Sequence, residues 1–314
     1  MATMEEMMKE KFPIENILGD LKFLTDNPEE LKDYLSEEKL HLFILTFKHS
    51  RKDIIIADTL KNIANIYFVC STDDDYLEQF KKELKSDEKI LTFDKKDYVF
   101  DEEENGDNYG LDYPFNQCGC FARRFVDDYI RKNNIKYYMV SDNDVKINIR
   151  LYNGKREELN KERLTNAIKT YFYLLDKYAD KLSWLNVTSI PDEMGGKIYK
   201  KGWSQASYVF YFHNKPIHWR SRFFDDGISN LLTLKEKGQI ALSLPYLKYE
   251  ITSHLGTGDM SNSYKQLMKN LNKDIKGCER YYFQQFFKEI DILEKKTFKS
   301  TILKLLLKRE GDHN

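Results

Sequence analysis

Four short apolar runs, separated by stretches with helical periodicity, constrain the fold of this 314-residue chain more than any other feature. Nearly continuous apolar strands are typical of a parallel sheet that is buried on both faces, with the connecting segments as covering helices. The sequence therefore predicts an α/β fold with a mostly parallel central sheet. The four runs are HLFILTF from residue 41, IYFVCS from residue 66, KILTF from residue 89 and IKYYMV from residue 135.

The connecting segments carry the apolar spacing of amphipathic helices. An additional helix is predicted near the N-terminus, where DNPEELKDYLSEE offers Asn27 as an N-cap and Pro28 at the first helical position. A longer helix follows the fourth run, with an apolar stripe from Leu164 to Tyr178. The helices between the strands are DIIIADTLKNI (53–63), YLEQFKKELK (76–85) and FARRFVDDYIRK (121–132).

Beyond residue 183 the segments become shorter and strand-like, namely SWLNVTSI, ASYVFYFHN and GQIALSL. From Tyr264 the chain is predicted to be helical to its end, and residues 265–309 carry twelve Lys and Arg against five Asp and Glu. A basic segment suggests contact with an anionic partner such as nucleic acid or a membrane surface, although a solvated helix face has the same composition. We expect an N-terminal helical segment (1–39), a sheet domain (40–263) and a basic helical C-terminal extension (264–314).

The sequence also bears on the cellular compartment. No apolar stretch reaches the roughly 18 residues of a transmembrane helix, and the N-terminus MATMEEMMKEKF lacks a secretory signal pattern. We therefore expect a cytoplasmic protein. Its cysteines are expected to be reduced, buried thiols, since they are too few and too scattered for a disulfide framework or a zinc site. They are Cys70, Cys118, Cys120 and Cys278.

An acidic triplet, Asp142-Asn143-Asp144, directly follows the fourth apolar run. Ionised carboxylates beside a core are costly unless a cation compensates them. Open α/β sheets bind ligands at the carboxyl ends of their strands, and the two carboxylates of a D-x-D arrangement suit a hard cation such as Mn²⁺ or Mg²⁺. The triplet therefore predicts a metal site, with an ordinary acidic loop as the alternative, since Asp73-Asp74-Asp75 shows the same pattern.

Further polar residues follow the other strands of the predicted sheet. Arginine suits phosphate because its planar guanidinium donates two parallel hydrogen bonds. We expect a nucleotide-binding set at this edge of the sheet, although each residue taken alone also fits a surface salt bridge. The set consists of Thr46, His49 and Arg51 after the first strand, Asp73 after the second, and Arg123 and Arg124 on the helix before the fourth.

Two later positions complete the candidate chemistry. Asp225-Asp226, in WRSRFFDDGISN, offers a general base toward an acceptor hydroxyl, or alternatively an N-cap for the helix that follows. His254 lies near the Gly256-Thr257-Gly258 turn and offers a further metal ligand, or alternatively a structural histidine.

Taken in order, LFILTFKHSR, IYFVCSTDD, YYMVSDND and FFDDGISN resemble glycosyltransferases of the GT-A fold. Together with FARR, the segments DEMGGK, WSQAS and TGDMSNSY narrow the resemblance to the TET-associated glycosyltransferases of phages and bacteria, over roughly residues 40 to 265. The resemblance implies a Rossmann-like GT-A domain with helices on both faces of a mostly parallel sheet. It also implies an enzyme that adds a sugar to hydroxymethylated pyrimidines, such as hydroxymethylcytosine, in DNA.

The resemblance implies a nucleotide-diphosphate sugar donor, with UDP as the expected nucleotide. By the same resemblance Asp142 and Asp144 bind Mn²⁺ or Mg²⁺, Arg123 binds the nucleotide sugar, and Asp226 is the base. The chain departs from the family at Ser141 and Asn143, where the family has a fuller acidic run, and at Asp225, where it has a glutamate. The second departure leaves the base open between Asp225 and Asp226.

The resemblance makes DNA the expected acceptor, and the basic C-terminal extension would contact its phosphates. Trp203, Tyr208 and Trp219 would then stack on a displaced base, or alternatively pack in the core. Two other functions remain open: a cytoplasmic glycosyltransferase with a polysaccharide or protein acceptor, and a non-catalytic DNA-binding protein on a transferase scaffold. A nucleotidyltransferase is disfavoured because no glycine-rich phosphate loop precedes the first helix of the sheet domain.

Overall fold

The structure, a computed structural model, describes residues 4–98, 119–152, 155–189, 210–217, 219–220, 223–251 and 259–287. Within these ranges the chain is α/β, which confirms the predicted fold class. The strands are β1 Leu40–Thr46, β2 Ala64–Ser71, β3 Glu88–Phe93, β4 Tyr138–Asp142, β5 Val145–Tyr152, β6 Lys155–Glu158, β7 Leu182–Ser189, β8 Phe210–His213 and β9 Ile240–Ile251.

The helices connect and cover these strands. They are α1 Met4–Lys11, α2 Ile14–Asp26, α3 Ile55–Leu60, α4 Leu77–Glu83, α5 Gly119–Lys132, α6 Lys161–Lys177, α7 Asp225–Lys237, α8 Asp259–Leu271 and α9 Ile275–Phe286. Short 3₁₀ helices cover Pro28–Leu31, Arg51–Asp53 and Lys95–Tyr98. The four apolar runs are β1 to β4, and the helix predicted over residues 121–132 is α5, so these predictions are confirmed.

The described strands form one sheet in the order β3-β2-β1-β4-β8-β7-β9-β5-β6. Strands β3, β2, β1 and β4 are mutually parallel, β7 and β9 pair in parallel, and the remaining pairings are antiparallel. Within the described part, therefore, only β5 and β8 run against the other strands. From β1 the chain builds outward to β2 and β3 on one side, whereas β4 lies on the other side. This reversal makes the carboxyl ends of β1 and β4 a topological switch point.

Alternate residues of the central strands belong to two hydrophobic clusters on opposite faces of the sheet, because successive strand residues point to opposite faces. On one face, Phe43 and Val140 pack with the apolar side of α5. On the other face, Leu42 and Met139 join a larger cluster with residues of α2, α3, α6 and α7. Burial on both faces explains why these strands are apolar along their whole length.

The N-terminal segment differs from its prediction. Residues 28–31 form a 3₁₀ helix and no α-helix continues to residue 38, whereas α2, which was not predicted, lies just upstream. Asn27 ends α2 and does not cap a following helix, because its backbone N–H and its side-chain amide both donate to the carbonyl of Phe23, at 2.9 and 2.8 Å. The downstream segment thus loses the cap that the prediction required.

The segments at both ends of the described chain share the main core. Ile17 and Leu21 of α2 and Tyr282 and Phe283 of α9 lie in the same cluster as the sheet residues. Among the described helices, none combines the length and the apolar character needed to span a bilayer. Cys70, Cys120 and Cys278 are buried cysteines, as predicted. Cys118 and the basic segment beyond residue 287 lie outside the described residues.

Candidate functional site

The acidic triplet lies at the switch point of the sheet. Asp142 is the last residue of β4 and is paired in register with Leu45 of β1, and Asn143 and Asp144 form the two-residue turn that leads into β5. Ligands bind in the crevice at such a position in open α/β sheets. The structure thus places the predicted metal-binding carboxylates at the edge of the sheet where a donor site is expected.

After this turn the chain leaves β4 and pairs with the far end of β9. Val145, the residue after Asp144, is in register with Ile251, the last residue of β9. The polypeptide that continues from Ile251 toward His254 therefore starts beside the acidic turn. His254 itself lies outside the described residues.

Arg123 of α5 joins this site to a distant part of the sequence. Its Nη1 donates to Asp225 Oδ2 at 2.9 Å, across 102 positions of sequence. The guanidinium carbon lies 5.3 Å from the centroid of the Trp219 ring, which is a cation–π distance, and a hydrogen bond also links Arg123 to Tyr211. The side chain of Arg123 is only 11% exposed and that of Asp225 18% exposed. The pair is therefore largely shielded from water.

Gly119, the first residue of α5, provides the space for this guanidinium. A Cβ placed on Gly119 would lie 2.8 Å from Arg123 Nη1, the same nitrogen that contacts Asp225. Residues four apart lie on one face of an α-helix, so any side chain at position 119 would meet Arg123. Sequence analysis did not identify Gly119 or Tyr211, since their role depends on where Arg123 points.

Asp225 and Asp226 are the first two residues of α7. The residue before them, Phe224, has a left-handed backbone (φ 54°, ψ 26°), and the helix has no side-chain N-cap hydrogen bond. The capping interpretation of the two aspartates is therefore wrong. Asp226 Oδ1 instead accepts from the N–H of Gly227 at 2.7 Å, and the helix N-terminus favours negative charge at both positions.

Burial and mutual repulsion act on the ionisation of these carboxylates. Burial raises the pKa of Asp142 to about 7; Asp144 and Asp225 contribute in the same direction and Arg123 opposes them. Burial and the neighbouring Asp225 likewise raise the pKa of Asp226 to about 7. Burial also raises the pKa of Asp225, although Arg123 counteracts it. These shifts show that Arg123, Asp142, Asp144 and the aspartate pair of α7 share one electrostatic environment.

Burial alone would lower the pKa of Arg123, but the charges of Asp225 and Asp142, together with Tyr211, raise it well above its usual value. One guanidinium thus interacts with three carboxylates, those of Asp142, Asp225 and Asp226, and Asp144 acts on Asp142. A divalent cation fits this excess of negative charge. Among the described residues no group of three or more His, Cys, Asp or Glu is arranged to hold a metal. Asp142 and Asp144 are two carboxylates of the kind that hold Mg²⁺ in proteins together with phosphates and water.

Arg51 does not belong to this site. It is 1% exposed, its Nε donates to Glu88 Oε2 at 2.8 Å, its Nη1 donates to the carbonyl of Ile54, and its Nη2 contacts both Glu88 and Asp58. This corrects the expectation that Arg51 contacts a nucleotide, because its donors are used inside the protein. No local pattern indicates this pairing, since Glu88 is 37 positions away.

The other nucleotide candidates after β1 and β2 do lie at the switch-point edge. Thr46 is the buried last residue of β1, and His49 is half-buried in the loop that follows. Asp73 accepts from Ser71 and forms an ion pair with the buried Lys95, whose Nζ is 2.9 Å from Asp73 Oδ1. Lys95, which sequence analysis missed, also lies 4.9 Å above the ring of Phe47.

Two further predictions concern Arg124 as a nucleotide-binding residue and three aromatic residues as stacking residues. Arg124 lies near Tyr98 and acts on its ionisation; it does not share a helix face with Arg123, since consecutive helical residues point in different directions. Trp219 is 4% exposed and packs with Trp184 and Tyr211, so the packing interpretation holds for it. Trp203 and Tyr208 lie outside the described residues.

The residues themselves are the basis for a functional assignment, because the chain matches no protein-family model and no curated protein. Three separate parts of the sequence meet here, namely the β4–β5 turn, the start of α5 and the start of α7, and the end of β1 lies beside the end of β4. Their combined chemistry is a pair of carboxylates at the end of β4, a buried guanidinium and a second pair of carboxylates with raised pKa values.

Proposed function

We propose that this protein is a metal-dependent glycosyltransferase, which moves a sugar from a nucleotide-diphosphate sugar, with UDP as the nucleotide, to a hydroxyl group. The observation that carries this proposal is the convergence of Asp142 with the Arg123–Asp225 ion pair at the switch point of the sheet. A nucleotide-sugar site needs both a place for a cation and a fixed positive charge beside the diphosphate. The GT-A resemblance of the sequence is consistent with this arrangement.

On the donor side, Asp142 and Asp144 would hold Mn²⁺ or Mg²⁺, which neutralises charge on the departing diphosphate. Arg123 binds the same diphosphate through its guanidinium, which suits phosphate geometry. Because the guanidinium is shielded from water, its interaction with phosphate is stronger than it would be at the surface. Thr46, His49 and Asp73 lie at the carboxyl ends of the neighbouring strands, where the nucleoside would bind.

On the acceptor side, Asp226 takes the proton of the acceptor hydroxyl in an inverting reaction. The acceptor oxygen then forms a bond to the anomeric carbon while the bond to the diphosphate breaks, and the diphosphate leaves with the electron pair. A pKa of about 7 suits this role, because a general base works best when its pKa lies near the operating pH. In a retaining reaction the same carboxylate orients the acceptor.

The proposed acceptor is a 5-hydroxymethylpyrimidine in DNA, and the proposed location is the cytoplasm. This finer assignment rests on the resemblance to TET-associated glycosyltransferases and on the basic composition of residues 265–309. Contacts between lysines and phosphates would make acceptor binding weaken as salt increases.

The test is to incubate the protein with a panel of nucleotide sugars and Mn²⁺, with and without duplex DNA that contains hydroxymethylpyrimidine, and to measure nucleoside diphosphate release. We expect release from one donor, stimulated by the modified DNA and lost in D142N and D144N. Asp87, an exposed residue of the turn before β3, supplies the matched control D87N, which should behave as wild type. Release from no donor would overturn the function. Release without DNA stimulation would exclude the DNA acceptor.

A further inference from the structure

The guanidinium of Arg123 is enclosed by four different residues before any substrate binds. We propose that Asp225 and Gly119 act on the transfer reaction through Arg123: they fix its guanidinium where the donor diphosphate binds, so that Asp225 is a positioning residue and Asp226 alone is the base. This inference deepens the proposed function and rests on it. It separates two adjacent aspartates that the sequence presents as equivalent.

Asp225 is the direct partner of the guanidinium. A buried arginine is costly unless a carboxylate compensates it, and Asp225 Oδ2 does so at 2.9 Å. A general base must accept a proton, but a guanidinium at this distance favours the ionised carboxylate and weakens it as a base. Protonation would also break the ion pair that holds Arg123. The contact therefore suits Asp225 for positioning and not for proton transfer.

Gly119 leaves room for the guanidinium in the position where it contacts Asp225. With a Cβ 2.8 Å from Nη1, an alanine at position 119 would force this nitrogen to move, because carbon and nitrogen atoms pack at about 3.5 Å or more. Arg123 is held by Asp225 and by the ring of Trp219, so the nitrogen would have to shift by several tenths of an ångström against these two contacts. Glycine at this position is thus part of the guanidinium site.

Trp219 and Tyr211 complete the enclosure. The Trp219 ring lies 5.3 Å from the guanidinium carbon and 6.2 Å from the Tyr211 ring, and Tyr211 is hydrogen-bonded to Arg123. Trp219 and Tyr211 are 4% and 1% exposed, so both rings are fixed in the core. A guanidinium held in this way loses little freedom when a diphosphate arrives, and preorganisation of this kind increases affinity.

The matched pair of aspartates allows a direct test on the full-length protein. Binding of UDP in the presence of Mn²⁺ is measured by calorimetry, and donor KM, acceptor KM and kcat are measured by initial rates. We expect D225N and G119A to weaken UDP binding by about tenfold or more, equivalent to about 1.4 kcal/mol, with acceptor KM unchanged. We expect D226N to keep its UDP affinity and to lose about 10²- to 10⁴-fold in kcat.

Two controls separate this role from a general effect on folding. Gly19 lies in the helix α2 and has nothing within 4 Å of an added Cβ, so G19A should bind UDP as wild type does. If Asp225 acts through Arg123, D225N should add no further loss of UDP affinity in an R123Q background. Thermal unfolding of each variant shows that the measured protein is folded.

The outcomes distinguish a failure of the positioning role from a failure of the proposed function. If wild type transfers sugar but D225N loses kcat at full UDP affinity, as D226N does, Asp225 belongs to the acceptor side and this inference is overturned. Unchanged UDP affinity in G119A would overturn the role of Gly119. If wild type binds neither UDP nor inorganic pyrophosphate with Mn²⁺, the proposed function fails, and the positioning role fails with it.

Discussion

Arg51 and Glu88 form a buried ion pair with both side chains 2% exposed. Arg51 Nε donates to Glu88 Oε2 at 2.8 Å, and Nη2 donates to the other carboxylate oxygen. Glu88 Oε2 also accepts from the backbone N–H of Lys85. The pair therefore joins the segment after β1 to the start of β3 inside the protein.

We predict that R51M destabilises the protein by about 3 to 5 kcal/mol, because it leaves Glu88 charged and buried without its partner. The double variant R51M/E88L should recover part of this loss, since no uncompensated charge remains. Unfolding in guanidinium chloride, followed by circular dichroism, measures the stability of both variants. K85M, which removes an exposed partner of Asp58, is the control and should change stability by less than about 1 kcal/mol. Equal stability of R51M and wild type would contradict the structural role.

Asp127 predicts a pH dependence of stability. It is 4% exposed, Tyr138 Oη lies 3.4 Å from its Oδ1, and burial raises its pKa well above the usual value. As pH rises above 4, the unfolded chain releases this proton while the folded chain keeps it, so stability falls. We expect D127N to be more stable than wild type at pH 7, on the order of 1 kcal/mol or more, and equal to it near pH 3.

The neighbouring position supplies the control for this measurement. Asp128 is partly exposed and lies 3.5 Å from Arg131, so D128N should shift stability by less than about 1 kcal/mol at either pH. Denaturant titrations at several pH values compare the variants. A constant difference between D127N and wild type across the range would mean that Asp127 titrates normally.

Asp226 predicts the pH profile of the proposed reaction. Burial, followed by the charge of Asp225, raises its pKa to about 7. Since the base works when ionised, kcat/KM at saturating Mn²⁺ should rise with pH to a midpoint near 7 and then level off. In D225N the midpoint should move to lower pH, because one source of the raised pKa is gone. A midpoint that D225N leaves in place would argue against Asp226 as the base.

The left-handed backbone of Phe224 predicts that a glycine variant is more stable than an alanine variant at this position, the reverse of the usual order. Its backbone is left-handed, and its ring contacts Tyr264 and Tyr282 at centroid distances of 5.4 and 5.9 Å. F224G and F224A both lose these contacts, but only glycine adopts this backbone without strain. F224G should therefore be more stable than F224A by about 1 to 2 kcal/mol.

Thr233 in the same helix should show the usual order, in which the alanine variant is more stable than the glycine variant. Thr233 lies in the regular part of α7, where glycine is disfavoured relative to alanine by about 1 kcal/mol. T233G should therefore be less stable than T233A. Chemical denaturation measures the stability of the four variants. If alanine were more stable than glycine at both positions, the backbone of Phe224 would not be strained.

The sequence sufficed for the central strands because β1 to β4 are buried on both faces, and an apolar run reports such burial without knowledge of its neighbours. It failed for residues 26–38, where Pro28 and two glutamates resemble a helix start, yet the capping group Asn27 is used by the preceding helix. Local rules identify residues suited to a cap, and the competition between two helices for one cap is decided by packing.

At the site, the sequence indicated Asp142, Asp144, Arg123 and the aspartate pair, because their residue types and strand-end positions are local properties. It did not distinguish Asp225 from Asp226, since the contact that separates them spans 102 positions. Arg51 was misassigned for the same reason: its partner Glu88 is fixed by the pairing of β2 with β3. Partnerships across the fold depend on tertiary structure, and one sequence does not encode them locally.

The length of the two-residue connection between β4 and β5 affects which face of β5 is buried. Val145 and Ile147 of β5 point into the core and are 0% and 2% exposed, and successive strand residues alternate between faces. One inserted residue in Asn143-Asp144 that shifted β5 by one position would turn Val145 and Ile147 to the opposite face, as far as the register shift between Ile147 and Ile149, whereas two would restore their inward face but carry Asp144 away from Asp142. The spacing of the two carboxylates is therefore linked to the burial of a neighbouring strand, and the core restricts the length of a turn that lies at the edge of the sheet.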